Sequence, residues 1–379
     1  DTFATASKIA LENGITTLVA FATQEKNESL MERMRISIAK GTGKSHCDYS
    51  FHFSPTSFSE SDWRDIENLA GRGFKTMKLY TTYHEAGLYT DWNSMKEIMS
   101  RCSELGIRIL IHCEAENILK QTNRNNQDAS NPFTHSLARP EEAEIEAVEN
   151  VISLADETNA QVHIVHVSSD RTAALLATVR GDGSITCETA PHYLLLNNGK
   201  LKEKNGHRFL CTPPLRDEKT RQMMEYAVFA EDIDLYATDH CAFLKNDKDC
   251  FNEDYRKVPM GLAGVGALVP NMYELIVKTH GKPLGEFATR LSLNPAKVAG
   301  LYPRKGSLMP GADADIVILN QEGPERSVVS TFADSYETFP DRTTSLEIMA
   351  VLLRGRVVVQ NGGIISEDRP NGECVWSLK

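Results

Sequence analysis

Short apolar runs rich in β-branched residues alternate along most of this chain with longer amphipathic segments. This alternation is typical of repeated βα units around a parallel sheet, because such strands are buried on both faces and each helix covers the sheet with one apolar face. The clearest helical pattern spans residues 141–158. The strand-like runs are Thr16–Phe21, Tyr49–Phe53, Lys75–Tyr80, Arg108–Cys113, Gln161–Val167, Ser184–Ala190 and Asp234–Asp239.

The seven strand-like runs are one fewer than a closed (β/α)8 barrel requires. A helix-like segment, Thr5–Asn13, precedes the first of them. We therefore predict an α/β fold, a TIM-like (β/α)8 barrel whose first strand lies upstream of residue 1.

The pattern changes after Leu301 to short strands separated by glycine-rich turns, in YPRKGSLMPGADADIVILN and IMAVLLRGRVVVQNGG. Such a pattern predicts a small β-sheet rather than further βα units. We therefore expect a barrel domain over residues 1–303 and a C-terminal part of a β-sandwich over residues 304–379.

The charge balance excludes several classes of function. The formal net charge is -11, whereas nucleic-acid binding requires clustered Lys and Arg. No stretch approaches the ~20 apolar residues that cross a bilayer, and the first residues lack the features of a secretory signal. The eight cysteines form no CxxC pair, which favours reduced thiols over disulfides. We expect a cytoplasmic protein that binds neither nucleic acid nor membranes.

Ionisable side chains stand at the ends of several strand-like runs, and in a barrel these ends converge on the active site. Lys78 either extends its amine from a strand end to solvent or is a buried amine with a lowered pKa that adds carbon dioxide to become a carbamate. Asp239 either caps the next helix or binds a metal and takes a proton from water.

Two histidines end successive apolar runs, IRILIHC and HIVHVSS. A single histidine in such a place is commonly a hydrogen-bonded structural residue. The pair His112 and His166, together with Lys78 on the preceding run, instead favours a metal site. His163 is expected on the opposite strand face, packed against a helix, and is the alternative ligand. Imidazole and carboxylate ligands suit zinc, with manganese, cobalt or iron as substitutes.

Several longer motifs resemble the dihydropyrimidinase and hydantoinase branch of the amidohydrolase superfamily, whose relatives include allantoinase and dihydroorotase. The resemblance covers nearly the whole chain. It is carried by CDYSFHF at 47–53, GFKTMKLYTTY at 73–83, LIHCEAEN at 110–117, LARPEEAEIEAV at 137–148, IVHVSS at 164–169, ETAPHYL at 188–194, TPPLRDE at 212–218, ATDHCAF at 237–243 and NPAKVAGLYPRKGSLMPGADADIVI at 294–318.

This resemblance implies an enzyme that opens a small cyclic amide with two divalent metal ions, zinc being the expected metal. It implies that carboxylated Lys78 bridges the two metals, that His112 and His166 bind one of them, and that Asp239 binds the other and acts as the base. It further implies a homotetramer. Substrate contacts would come from the Tyr83 hydroxyl, the backbone next to Thr212 and the backbone around Met260.

Some family features are absent or altered. The family has a His-x-His at the end of the first barrel strand, and none of the eleven histidines has that spacing, so we place these ligands upstream. Ala115 and Met260 stand where the family often has Asn. A hydantoin or dihydropyrimidine is the favoured substrate. Allantoinase or dihydroorotase activity and a non-catalytic role like that of the collapsin response mediator proteins are the alternatives.

Overall fold

Seven parallel strands form the central sheet in the computed structural model, which describes residues 1–181, 183–366 and 369–378. The strands lie in the order β1-β2-β3-β4-β5-β6-β7, so each neighbour in sequence is a neighbour in space. Each predicted run overlaps one of them, which confirms the α/β prediction. Their bounds are β1 Thr17–Thr23, β2 Asp48–Ser54, β3 Thr76–Tyr80, β4 Arg108–His112, β5 Val162–Ile164, β6 Ile185–Thr189 and β7 Leu235–Tyr236.

Helices connect and cover these strands. The α-helices are α1 Phe3–Glu12, α2 Leu30–Gly41, α3 Glu60–Gly71, α4 Trp92–Leu105, α5 Glu116–Asn125, α6 Thr134–Ala138, α7 Glu141–Thr158, α8 Asp170–Thr178, α9 Pro191–Leu195, α10 Glu218–Phe229, α11 Lys245–Lys248, α12 Leu268–Met272, α13 Leu284–Ala288 and α14 Asn294–Val298. Short 3-10 helices span His84–Ala86, Asn198–Lys202, Gly206–Phe209, Asp249–Phe251 and Tyr255–Lys257, and π-helical turns span Tyr273–Thr279 and Thr289–Leu293. No helix in these described ranges is long and apolar enough to cross a bilayer.

The helix predicted over residues 141–158 is confirmed as α7. Three glutamates in its first turn complement the positive end of the helix dipole. It ends where Asn159 adopts a left-handed conformation with φ 52°. Ala147, Val148 and Val151 form part of its buried face.

The two faces of the central sheet differ in composition. Met77 and Leu79 of β3, with Ile109 and Ile111 of β4, belong to the main hydrophobic core. Since strand side chains alternate, the residues between them point to the opposite face. There the register pairs Lys78 with Leu110 and Tyr80 with His112. The polar side chains of this inner face form the candidate site.

The C-terminal part of the chain forms a separate antiparallel sheet, as predicted. Its order is β13-β12-β11-β8, and a two-stranded pair β9-β10 accompanies it. The bounds are β8 Ile316–Asn320, β9 Arg326–Ser327, β10 Thr343–Thr344, β11 Glu347–Leu353, β12 Arg356–Gln360 and β13 Gly363–Ile364. Near the C-terminus, the backbone of Cys374 forms a parallel β-bridge with that of Tyr49 in β2.

Candidate active site

The four predicted metal ligands lie at or near the C-terminal ends of four strands. Lys78 is in β3, His112 ends β4, His166 follows β5 and Asp239 follows β7. Burial lowers the pKa of both histidines and raises that of Asp239, and in all three the charge of Lys78 also lowers it, so Lys78 lies within electrostatic range of the other three side chains. The structure therefore gathers residues that are far apart in sequence.

Three residues of this site have a strained backbone. Tyr83, His166 and Asp239 have positive φ angles of 68°, 42° and 42°. A side chain with a Cβ in this region costs about 1–3 kcal/mol, and such residues cluster at functional sites. Three of the predicted site residues thus hold conformations that the surrounding structure must enforce.

The two imidazoles face each other. Nδ1 of His112 lies 2.9 Å from Nε2 of His166. The other ring nitrogen of His112 lies 2.6 Å from the Glu114 carboxylate, to which its N–H donates a hydrogen bond, so Nδ1 carries a lone pair directed at His166. Burial lowers the pKa of His112 to about 4 and that of His166 well below its ordinary value. Both rings are therefore neutral, the form in which histidine binds metals.

Glu114 is in turn held by Arg139, whose Nε donates to it at 3.0 Å. Burial raises the pKa of the Glu114 carboxyl, but the charge of Arg139 and the bond to His112 outweigh it and keep the pKa well below its usual range. The Arg139 guanidinium also lies 5.4 Å from the ring centre of Tyr83. Sequence reasoning missed this pair, although both residues stand in quoted motifs and Glu114 follows His112 by two positions.

Lys78 is 3% exposed, and its Nζ lies 5.1 Å from the ring centre of Tyr80. Burial lowers the pKa of Lys78 to about 8, against the charges of Glu188, Cys113 and Asp239. A buried amine of lowered pKa is closer to the uncharged form that reacts as a nucleophile.

Burial and the charge of Glu188 raise the pKa of Asp239 to about 7, while Lys78 lowers it. The Asp239 side chain keeps 30% of its surface exposed, which leaves its carboxylate accessible to a small molecule.

His163 does not pack against a helix, so that expectation was wrong. It is fully buried on the inner face, in register with Leu110, and its ring nitrogens contact the Thr186 hydroxyl at 2.8 Å and the Glu188 carboxylate at 3.0 Å. The reason is that the left-handed backbone at His166 interrupts the alternation after β5, which lets both histidines face inward. His163 thus lies beside Glu188, whose charge also acts on Lys78 and Asp239.

The predicted substrate contacts surround the same space. The Tyr83 ring lies 5.0 Å from that of His112. Burial raises the pKa of the Tyr83 phenol well above its usual value, although the charge of Arg139 and a hydrogen bond with Thr212 lower it. Met260 is half-buried, and the next residue, Gly261, donates its N–H to the Leu210 carbonyl at 2.9 Å. The structure thus joins the chain segments around Thr212 and Met260.

His192 is a third residue that sequence reasoning missed, although it stands in the quoted ETAPHYL motif. Its Nε2 is buried and lies 3.7 Å from Oδ2 of Asp239, and across the described part of the chain it makes no hydrogen bond. Its ring therefore forms one wall beside the Asp239 carboxylate.

The side chains of the site include donors for a metal ion. Among the residues that the structure describes, no group of three or more His, Cys, Asp or Glu side chains is placed to hold a metal ion. Two neutral imidazoles do converge, and their nitrogens are preferred donors for zinc and related divalent ions. Lys78 joins such a set only as an anion, the form that a carbamate provides. The two imidazole nitrogens are therefore of the donor type that fits a divalent cation.

Comparisons with known proteins identify the family. The model of the Amidohydrolase family matches residues 1–358. A D-hydantoinase of Ralstonia pickettii is 29% identical, over 97% of this chain and 82% of that protein. A dihydropyrimidinase of Rattus norvegicus is 28% identical, over 96% of this chain and 72% of that protein. The crystal structure of dihydropyrimidinase from Brevibacillus agri superposes with a TM-score of 0.92 at 27% identity, covering 99% of this chain and 83% of that one. The chain therefore belongs to the amidohydrolase family of hydrolases.

Proposed function

We propose that this protein hydrolyses a C–N bond of a five- or six-membered cyclic diamide, a hydantoin or a dihydropyrimidine. The observation that carries the proposal is the approach of His112 Nδ1 to His166 Nε2, at 2.9 Å, in a buried site that also contains Lys78 and Asp239. The names of the relatives, D-hydantoinase and dihydropyrimidinase, support this substrate class.

Two divalent metal ions, with zinc as the expected metal, complete the proposal. His112, His166, Asp239 and carboxylated Lys78 would hold them, with the predicted upstream His-x-His. When bound, such ions lower the pKa of water toward neutrality and polarise a carbonyl group. Carboxylation of Lys78 forms an N–C bond to carbon dioxide and releases two protons, one from the ammonium group and one from the amine that attacks, which turns a cationic side chain into an anionic one.

Asp239 and Tyr83 have separate roles in the proposed reaction. Asp239 takes a proton from the attacking water and returns it to the ring nitrogen that leaves, a role that suits a carboxyl whose pKa is near 7. Because burial raises the pKa of Tyr83, its hydroxyl keeps its proton and donates to the carbonyl oxygen as negative charge develops. A donor of this kind is worth about 3 kcal/mol.

The backbone around Thr212 and Met260 binds the two edges of the ring amide. Main-chain groups recognise an amide whatever substituent the ring carries.

A ring-opening assay on the full-length protein tests the proposal, with hydantoin, dihydrouracil, allantoin and dihydroorotate as substrates and metal analysis of the same sample. We expect bound divalent metal and turnover of hydantoin or dihydrouracil. Preference for allantoin or dihydroorotate would support that alternative. A metal-free protein without turnover of any of the four substrates would support a non-catalytic interaction protein.

Glu114 provides a test of the metal site alone. Replacement of Glu114 by Gln removes the carboxylate that holds His112, and we expect metal affinity to fall by about 10–100-fold. The measurement is a competitive metal titration of the full-length protein, with Glu104→Gln, on an exposed position of α4, as the control. Equal metal affinity in the two variants would contradict the role given to His112.

Assembly and location are also proposals. We propose a cytoplasmic homotetramer, as the family resemblance implies. Light scattering on the eluate of a size-exclusion column measures the assembly, and cell fractionation measures the location. A monomer at micromolar concentration would contradict the proposed homotetramer.

A further inference from the structure

Lys248 is a buried lysine that the proposed reaction does not use. It ends the short helix α11 and is 3% exposed. Its Nζ donates to the carbonyl oxygens of Leu210, at 3.1 Å, and Pro259, at 2.8 Å, and lies 5.7 Å from the ring centre of Phe243. Burying an amine is costly unless its donors are satisfied, so these two carbonyl groups account for its position.

The two carbonyl groups belong to the segments predicted to bind the substrate. Leu210 precedes Thr212 by two residues, and Pro259 immediately precedes Met260. The segments also bond directly, because the Gly261 N–H donates to the Leu210 carbonyl at 2.9 Å. Lys248 therefore spans the junction between the two main-chain segments without contacting the ring site itself.

The second segment is also fixed on its other side. The N–H of Cys241 donates to the Leu262 carbonyl at 2.9 Å. A Cβ added to Gly261 would lie 2.6 Å from the Cβ of Cys241, which only glycine avoids. Residues 259–262 are therefore packed between the segment that follows Asp239 and the segment that leads to Thr212. A small shift at Pro259 would change the distance between the two proposed amide contacts.

We propose that Lys248 is a positioning residue that sets the spacing between the Thr212 and Met260 main-chain segments and thereby the ring size that the site accepts. This inference rests on the proposed function. Lysine suits the role because one ammonium group donates to several carbonyl oxygens at once, whereas a neutral residue of the same length donates to none.

The test compares Lys248→Met with wild type and with Lys245→Met, an exposed position on the same helix. For hydantoin and dihydrouracil, we expect Lys248→Met to raise KM by about tenfold or more, unequally for the two rings, and to change kcat by less than about threefold. Lys248→Arg keeps hydrogen-bond donors, so we expect its KM to lie between those of wild type and Lys248→Met. We expect Lys245→Met to have the KM of wild type.

Hydrogen exchange provides a readout that needs no substrate. Mass spectrometry of the peptide containing Gly261 is expected to show faster amide exchange in Lys248→Met, because its bond to Leu210 is no longer supported. Unchanged KM or unchanged exchange in Lys248→Met overturns the proposal, and if that variant fails to fold, wild-type KM and exchange in Lys248→Leu, which also lacks donors, overturn it instead. A wild type inactive on every cyclic diamide overturns the proposed function, whereas the exchange experiment still decides whether Lys248 positions the segments.

Discussion

Replacement of Asp239 by Asn is expected to lower kcat for ring opening by about 10²–10⁴-fold, the contribution of a positioned general base. The neighbouring His192 is no substitute for this role, since its Nε2 lies 3.7 Å from the carboxylate, beyond hydrogen-bond distance. Burial lowers the pKa of His192 to about 3, so its ring is neutral and has no proton to return as an imidazolium. The amide of Asn neither accepts a proton from water nor delivers one to the leaving nitrogen.

The measurement is steady-state kinetics on the full-length enzyme with the best substrate, combined with metal analysis of each variant. Asp156→Asn, on an exposed position of α7, is the matched control and is expected to keep wild-type kcat. Metal content separates the two roles proposed for Asp239: a variant that keeps its metal and loses kcat has lost the base, and one that loses both has lost a ligand. A wild-type kcat in Asp239→Asn would show that Asp239 is not the general base.

The order of the strands and the position of the site could be predicted from the sequence because both follow from local patterns. A strand buried on both faces needs a run of apolar residues, and the carboxyl ends of parallel strands meet at one edge of the sheet. Lys78, His112 and Asp239 stand at such ends, so their proximity followed from the βα pattern alone.

The partners of these residues could not be predicted in the same way. Arg139 contacts Glu114 across 25 residues, and Lys248 contacts Leu210 across 38. Such contacts depend on loop conformations that have no periodic signal. His163 shows a related limit, because the alternation rule assigned it to the wrong face. That rule holds only while the backbone stays extended, and the left-handed conformation of His166 has no local signal in the sequence.

Stability depends on another buried charge cluster, which joins the central sheet to the C-terminal sheet. The side chain of Lys305 is 4% exposed, and its Nζ lies 2.6 Å from carboxylate oxygens of both Asp48 in β2 and Asp315 before β8, and 3.0 Å from Asp313. Arg354, in the turn between β11 and β12, pairs with the same Asp48. Burial lowers the pKa of Lys305, but its bonds to Asp315 and Asp48 outweigh this and raise it.

Replacement of Lys305 by Met keeps the length of the side chain and removes its charge. We expect it to lower the free energy of unfolding by about 3–5 kcal/mol, because the buried Asp48 and Asp315 lose the cation between them. The measurement is denaturant unfolding followed by circular dichroism. Lys96→Met is the control: its pair with Glu157 is equally short, at 2.6 Å, but both side chains are about half exposed, so we expect a loss of only about 0–1 kcal/mol. Equal losses in the two variants would mean that Arg354 alone compensates the buried carboxylates, and that the two sheets are joined without a contribution from Lys305.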